Sequence, residues 1–132
     1  MTEGHERYPH DRQPAIRVVM MPRDTNALGT IFGGVILSHI DLAAAIQAHT
    51  YHPGRVVTVA MDQVIFKQPV HVGDLVSFFT ETVKVGHTSI TAKVEVWAQR
   101  RFGSEEYVYV TEALVTMVAV DDQFHKVPIQ KR

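Results

Sequence analysis

The sequence predicts an α+β domain in which one long helix packs against one antiparallel sheet. Three observations lead there. A single long stretch of helical character, from Val35 to His52, follows one short strand-like run. After Gly54 the apolar pattern changes from a period near 3.6 residues to a period of two. Four strand-like runs then succeed one another across short, turn-rich connections, which favours antiparallel neighbours. The 132 residues suit one compact domain. With 45% apolar and 20% charged residues the chain has an ordinary globular composition, which argues against disorder, collagen-like repeats and coiled coil.

Taken in order, residues 1–13 (MTEGHERYPHDRQ) have no apolar period and read as a flexible arm ahead of a single domain at 14–128 and a tail at 129–132. Ala15–Met21, rich in Val, is the first predicted strand, and Pro22–Thr30 is a dense turn region. Ile31-Phe32-Gly33-Gly34 leads into the helix, whose Ala, Leu and Ile content favours helix over strand. His52-Pro53-Gly54 closes it. The remaining predicted strands are Arg55–Phe66, Leu75–Val85, Thr88–Gln99 and Tyr107–Val120. Turn signals separate them at Gln68-Pro69 to Gly73-Asp74, at Gly86-His87 and at Arg101 to Ser104. In Thr88–Gln99, residues Ile90, Ala92, Val94, Val96 and Ala98 point one way. Tyr107–Val120 is apolar on both sides. Simple alternation puts Val108, Val110, Leu114, Val118 and Val120 on one face and Tyr107, Tyr109, Val115, Met117 and Ala119 on the other. One helix covers one face, so a second subunit is expected to cover the other.

Composition also excludes functions. Thirteen basic against fourteen acidic residues leave a formal charge of −1, no field for nucleic acid or anionic lipid. The absence of cysteine rules out disulfides, thiolate metal sites and a Cys nucleophile. No apolar run approaches the ~20 residues that span a bilayer, and Met1–Arg17 has no signal-peptide core. No membrane partner and a cytoplasmic location are expected. His49-x-x-His52 lacks a suitably spaced carboxylate, so no metal is expected. There is no Gly-x-Ser-x-Gly elbow, P-loop or dinucleotide fingerprint.

Asp41 is the most informative residue. Between Val35 and Ile46 the only polar residues are Ser38, His39 and Asp41, and an ionised carboxylate in such a stretch is costly to bury alone. It lies either on a thin exposed stripe with Ser38 and His49 or in a partly dry cleft as a base or nucleophile. Gly33 and Gly34 lie where a helix has unpaired N–H groups and partial positive charge. They serve either close packing or a carbonyl that approaches the backbone, as in an oxyanion hole. Asp41 is roughly 10 Å along the helix from Gly34 at ~1.5 Å per residue. One helix cannot readily supply both parts of one site, whereas two antiparallel helices from two subunits can.

The stretch Met21-Pro22-Arg23-Asp24-Thr25-Asn26, with Gly29, Ile31-Phe32-Gly33-Gly34 and Asp41, resembles the signature of the YciA-like and brain-type acyl-CoA thioesterases. Gly54-Arg55-Val56-Val57-Thr58-Val59, Phe66 with Pro69-Val70 and Val72-Gly73-Asp74, Gly86 with Thr88-Ser89, and Thr111-Glu112-Ala113 extend it over about residues 14–128. The resemblance implies the hotdog fold, one long central helix wrapped by a five-stranded antiparallel sheet. It implies hydrolysis of acyl-CoA to a free acid and CoA, with Asn26 and Asp41 as the catalytic pair from different protomers and Gly33 or Gly34 polarising the carbonyl. Coenzyme A is then part of the substrate and no cofactor is needed. A homodimer is the minimum assembly, with a tetramer or hexamer of such dimers expected. By the same analogy the turn Gly86-His87-Thr88-Ser89 and the cations Arg55, Arg100 and Arg101 are candidates for the CoA phosphates. The alternative is a non-catalytic acyl-CoA-binding or sensing domain that keeps the pocket.

Overall fold

The structure, a computed structural model, describes residues 7–101 and 103–130. Strand β1 (Ile16–Val19) is followed by a 3-10 turn at Pro22–Asp24, helix α1 (Gly33–Tyr51), and strands β2 (Arg55–Asp62), β3 (Leu75–Val85), β4 (Ser89–Gln99) and β5 (Tyr107–Val120). The strands form one sheet in the order β1-β3-β4-β5-β2, antiparallel at every pairing. The predicted α+β architecture is therefore present.

Helix α1 buries Ile36, Ile40, Ala43, Ala44 and Ala48, a spacing of three and four residues that makes one apolar stripe. That stripe meets Val76 and Phe78 of β3, Ile90, Val94 and Val96 of β4, and Val115 of β5 in one core. Ala43 and Ala44 carry no bulk, which lets the helix lie close to the sheet. Burial of a side chain such as Ile40 contributes about 1.5–3 kcal/mol. The helix ends where His52 donates its N–H to Ala48 O at 2.8 Å, immediately before Pro53. A single amide, that of Gln47, ties the helix to β3 by donating to Thr82 Oγ1 at 2.9 Å and accepting from Thr80 Oγ1 at 2.8 Å.

Three departures from simple sequence patterning have local causes. Strand β2 stops at Asp62 rather than Phe66, because Gln63 adopts a left-handed φ of 64°. The connection 63–74 then carries the chain to the far side of the sheet, so the consecutive strands β2 and β3 are not neighbours. In β5, Val96 of β4 faces Thr111 while Trp97 faces Tyr109, which leaves Val110 as a bulge. The extra residue resets the alternation. Val108, Val110, Ala113, Val115 and Met117 all join the helix-side core, while Tyr109 packs with Phe79 and Trp97 on the outer face.

That outer face is partly covered by the chain itself. The ring of Tyr8 lies 5.5 Å from Phe79, 5.8 Å from Trp97 and 4.2 Å from Tyr107, centroid to centroid. Its hydroxyl is 3.1 Å from Ser77 Oγ, and the Arg12 guanidinium sits over Phe79 and 3.7 Å from Glu95. Residues 8–12 of the expected arm thus lie on the sheet, and residues 1–6 are outside the described residues. Tyr109 donates to Glu112 at 2.7 Å; burial first, then that carboxylate, push its phenol far above the usual range. At the other end, Ile129 N–H reaches His87 O at 2.8 Å and Gln130 N–H reaches His52 Nδ1 at 2.9 Å.

Candidate active site

Asp41 stands on α1 facing the edge strand β2. It is half-buried, and Thr58 Oγ1 donates to its Oδ1 at 2.5 Å. Oδ2 accepts no hydrogen bond among the described residues, so one carboxylate oxygen is fixed and the other has lone pairs to spare. Ser38 and His49 are exposed, as a solvated stripe requires, but Asp41 between them is not. Around it Leu42 (55% exposed), Ile46 and, on β2, Val59 form an uncovered apolar surface. Thr58 was not singled out by sequence; its pairing with a helix residue depends on how β2 lies against α1, which no local pattern encodes.

Asn26 organises the loop before the helix. Its Oδ1 accepts the N–H groups of Leu28 at 2.8 Å and Thr30 at 3.2 Å, and its Nδ2 donates to Thr30 Oγ1 at 3.1 Å. Both acceptor positions are occupied, which leaves one amide N–H for any other duty. Asn26 lies in the loop that Phe32 N–H anchors to the helix start by donating to Asp24 O at 2.8 Å.

No side chain caps α1. Val35 N–H turns back to Phe32 O, whereas the N–H groups of Gly33 and Gly34 have no acceptor among the described residues. A Cβ at Gly34 would come within 2.5 Å of the half-exposed Phe32 ring, which would have to swing aside; at Gly33 it would only touch Phe66, at 3.7 Å. Gly33 also borders an apolar cleft of about 300 Å³ lined by Ile31, Ile36, Phe66, Pro69 and Val70, with Lys67 and Gln68 adding its polar lining. The helix start therefore offers two free donors and partial positive charge beside a cleft that can take an apolar group. Asp41 is on the order of 10 Å further along the same helix, so one chain does not bring the carboxylate to those donors.

The candidate phosphate contacts separate widely. Arg100 lies 2.6 Å from Asp74 in an ion pair whose side chains are 13% and 3% exposed, and Asp74 also accepts His71 N–H at 2.9 Å. Its guanidinium is committed to the fold. Arg101 is exposed, with a left-handed φ of 47°. The turn Gly86-His87-Thr88-Ser89 sits at the opposite end of β4, roughly 30 Å away at ~3.3 Å per residue. There Gly86 N–H is used by Ser89 O, and the carbonyls of His87 and Thr88 accept Ile129 and Ala119. Arg55 is at an edge, 3.6 Å from Asp122 and over the Phe124 ring. One nucleotide cannot engage Arg101 and the 86–89 turn of the same chain.

A single helix on a five-stranded antiparallel sheet, with a carboxylate in mid-helix and free N–H groups at its start, can be compared with known proteins. The family model of the thioesterase superfamily matches residues 28–101, which include both glycines and Asp41. The chain belongs to the thioesterase superfamily. This thioesterase is 47% identical over 110 residues to an uncharacterized acyl-CoA thioester hydrolase of Haemophilus influenzae, covering 81% of the chain and 71% of that protein. It is 45% identical over 109 residues to the acyl-CoA thioester hydrolase YciA of Salmonella typhimurium, covering 80% and 81% respectively. Among solved structures it superimposes on a hexameric hotdog fold thioesterase of Campylobacter jejuni with a TM-score of 0.85, at 50% identity and over 92% of both chains. The expected hotdog fold is present. Among the described residues no helix is long and apolar enough to cross a membrane.

Proposed function

We propose that this thioesterase hydrolyses acyl-CoA to a free acid and CoA at a site shared by two copies of the chain. One observation carries the reading: the helix start presents the free N–H groups of Gly33 and Gly34, Gly33 borders an apolar cleft, and the carboxylate that could serve them lies too far along the same helix. Two antiparallel helices bring Asp41 of one copy to Gly33 and Gly34 of the other. The thioester carbonyl then points its oxygen at the glycine N–H groups, aided by the helix dipole. Asp41, held by Thr58, takes a proton from water as the water adds to the carbonyl, or adds to the carbonyl itself. When water is the nucleophile, collapse of the tetrahedral adduct breaks the C–S bond and the CoA thiolate leaves with the proton that Asp41 took. When Asp41 is the nucleophile, collapse expels the thiolate and leaves an acyl–Asp41 anhydride, which water cleaves to the free acid, regenerating the carboxylate and supplying the thiol proton. The remaining N–H of Asn26 orients the water or the carbonyl.

Leu42, Ile46 and Val59 supply the apolar surface for the pairing of two copies. The unpaired outer edge of β2 supports the same contact. Assembly of such dimers into a hexamer, like the Campylobacter relative, is part of the reading, as are a cytoplasmic location and the need for no cofactor. Arg101 is our preferred phosphate contact, since it is exposed at the end of β4 towards the start of α1. A binding domain that only senses acyl-CoA needs no fixed carboxylate, and the Thr58–Asp41 bond favours catalysis. A thiol-release assay decides: wild type should turn over acyl-CoA and Asp41→Asn should not. Tight binding of acyl-CoA without turnover by wild type leaves the sensing domain instead.

A further inference from the structure

We infer that the buried ion pair between Arg100 and Asp74 is a positioning device for the reaction, fixing the loops that present Asn26 and the glycine donors at the start of α1; this rests on the thioesterase reading above. The pair lies outside the site itself. Arg100 directly follows β4 and Asp74 directly precedes β3. They meet at 2.6 Å, with side chains 13% and 3% exposed. A buried ion pair seldom adds more stability than well-packed apolar residues of the same size, because both charges give up their water. What it supplies is direction, since a charged hydrogen bond holds one donor on one acceptor.

Asp74 passes that direction into two loops. Its Oδ2 also accepts His71 N–H at 2.9 Å, and its own N–H donates to His71 O at 3.1 Å, so the turn 71–74 closes on one carboxylate. Its main-chain O accepts Met20 N–H, and Gly73 N–H donates to Met20 O, both at 2.9 Å. Further back in the same segment, Val70 O accepts Ile31 N–H at 2.8 Å. The segment 63–74 is thus joined to the chain at Met20 and at Ile31, the two ends of the loop that carries Asn26. Gly33 follows Ile31 by two residues. The early part of the segment is held to β5, where Lys67 N–H donates to Val110 O and Thr111 Oγ1 donates to Ile65 O, each at 2.8 Å. Arg100 is the side chain that ties its far end to the end of β4. Without that tie the turn can tilt, and the Asn26 loop and the glycines move with it. A displacement of about 1 Å at the reacting groups can cost roughly 10²-fold in rate.

The test compares Arg100→Met, which removes the cation, with Arg100→Lys, which keeps it. Each is assayed on an acyl-CoA and on the matching acyl N-acetylcysteamine ester, which lacks the nucleotide and its phosphates. Arg100→Met should lower kcat by about tenfold on both esters and leave KM for the CoA ester within about twofold of wild type. Arg100→Lys should recover most of the loss. If Arg100→Met alone does not fold, Asp74→Asn/Arg100→Met removes both charges and carries the same expectations. Ile129→Ala trims a core contact beside His87, at the opposite end of β4. It is the control for lost stability and should keep kcat within about twofold. Hydrogen exchange read by mass spectrometry should quicken by about tenfold in the peptide 20–34 of Arg100→Met and not in β4 or β5. Wild-type kcat and exchange in the folded Arg100 variant overturn the assignment. So does an equal fall in kcat for Ile129→Ala. A change confined to KM for the CoA ester overturns it too and makes Arg100 a phosphate contact. Hydrolysis of neither ester by wild type overturns the hydrolase reading, while the exchange result still decides whether the pair holds the loops.

Discussion

Asp41 has one oxygen bound by Thr58 and one without a partner among the described residues, and the two halves make different predictions. Asp41→Asn keeps the volume and removes the base or nucleophile, so kcat should fall by about 10² or more in a thiol-release assay. Thr58→Val leaves the carboxylate present but free to turn, and kcat should fall by roughly tenfold; Thr58→Ser, which restores the hydroxyl, should recover most of it. For Asn26 the useful change is Asn26→Asp. It retains the acceptor for Leu28 and Thr30 N–H and removes both amide N–H groups, the one held by Thr30 Oγ1, whose hydroxyl can donate to the new carboxylate instead, and the one left over. Turnover should drop by about 10- to 100-fold while the melting temperature moves by only a few degrees. At this scale the sequence was readable where chemistry is local. An acid amid Val, Ile and Ala invites a question, and a Gly pair at a helix start suggests free donors. Thr58 and Arg100 were not readable, because each is defined by a partner distant in sequence: Asp41 across the helix–sheet interface and Asp74 across β3–β4.

The start of α1 illustrates how an element constrains its residues. A Cβ at Gly34 collides with the ring of Phe32, the residue that precedes the helix. That ring is 56% exposed and free to swing aside, so Gly34→Ala should stay within about 1 kcal/mol of wild type in urea unfolding, the better helix propensity of alanine offsetting the displaced ring. Gly33→Ala meets only ordinary contact and should stay within about 0.5 kcal/mol of wild type. Element boundaries were largely legible: the helix, β3 and β5 follow directly from periodicity and turn residues. The exceptions have a common origin. At Gln63 and at Val110 the backbone changes course while the side chains keep an apolar pattern. Hydrophobic alternation reports side-chain environment and is blind to a single left-handed φ or a single extra residue in a strand. For that reason β2 looked longer than it is and the faces of β5 were sorted differently.

For the molecule as a whole, the proposal of a divided site has a consequence no single-chain site shares. Asp41→Asn and Asn26→Asp homodimers each carry two damaged sites, but a mixed dimer has one site with both lesions and one with neither. Subunit exchange between the two weak variants, verified by native mass spectrometry, should restore up to about a quarter of wild-type activity. Exchange without recovery would mean that both residues serve one chain. Light scattering should give no active species at the monomer mass of 14.8 kDa. The arm on the outer face has an optical consequence. Trp97 is the only tryptophan in the sequence, is 3% exposed, and has an indole N–H without a partner among the described residues. Such an indole emits at the short-wavelength end of its range, and Tyr8 is part of what keeps water from it. Tyr8→Ala should therefore shift the emission to the red with no loss of secondary structure. The intrinsic fluorescence of the unlabelled protein becomes a direct gauge of whether Tyr8 and its neighbours are seated on the sheet.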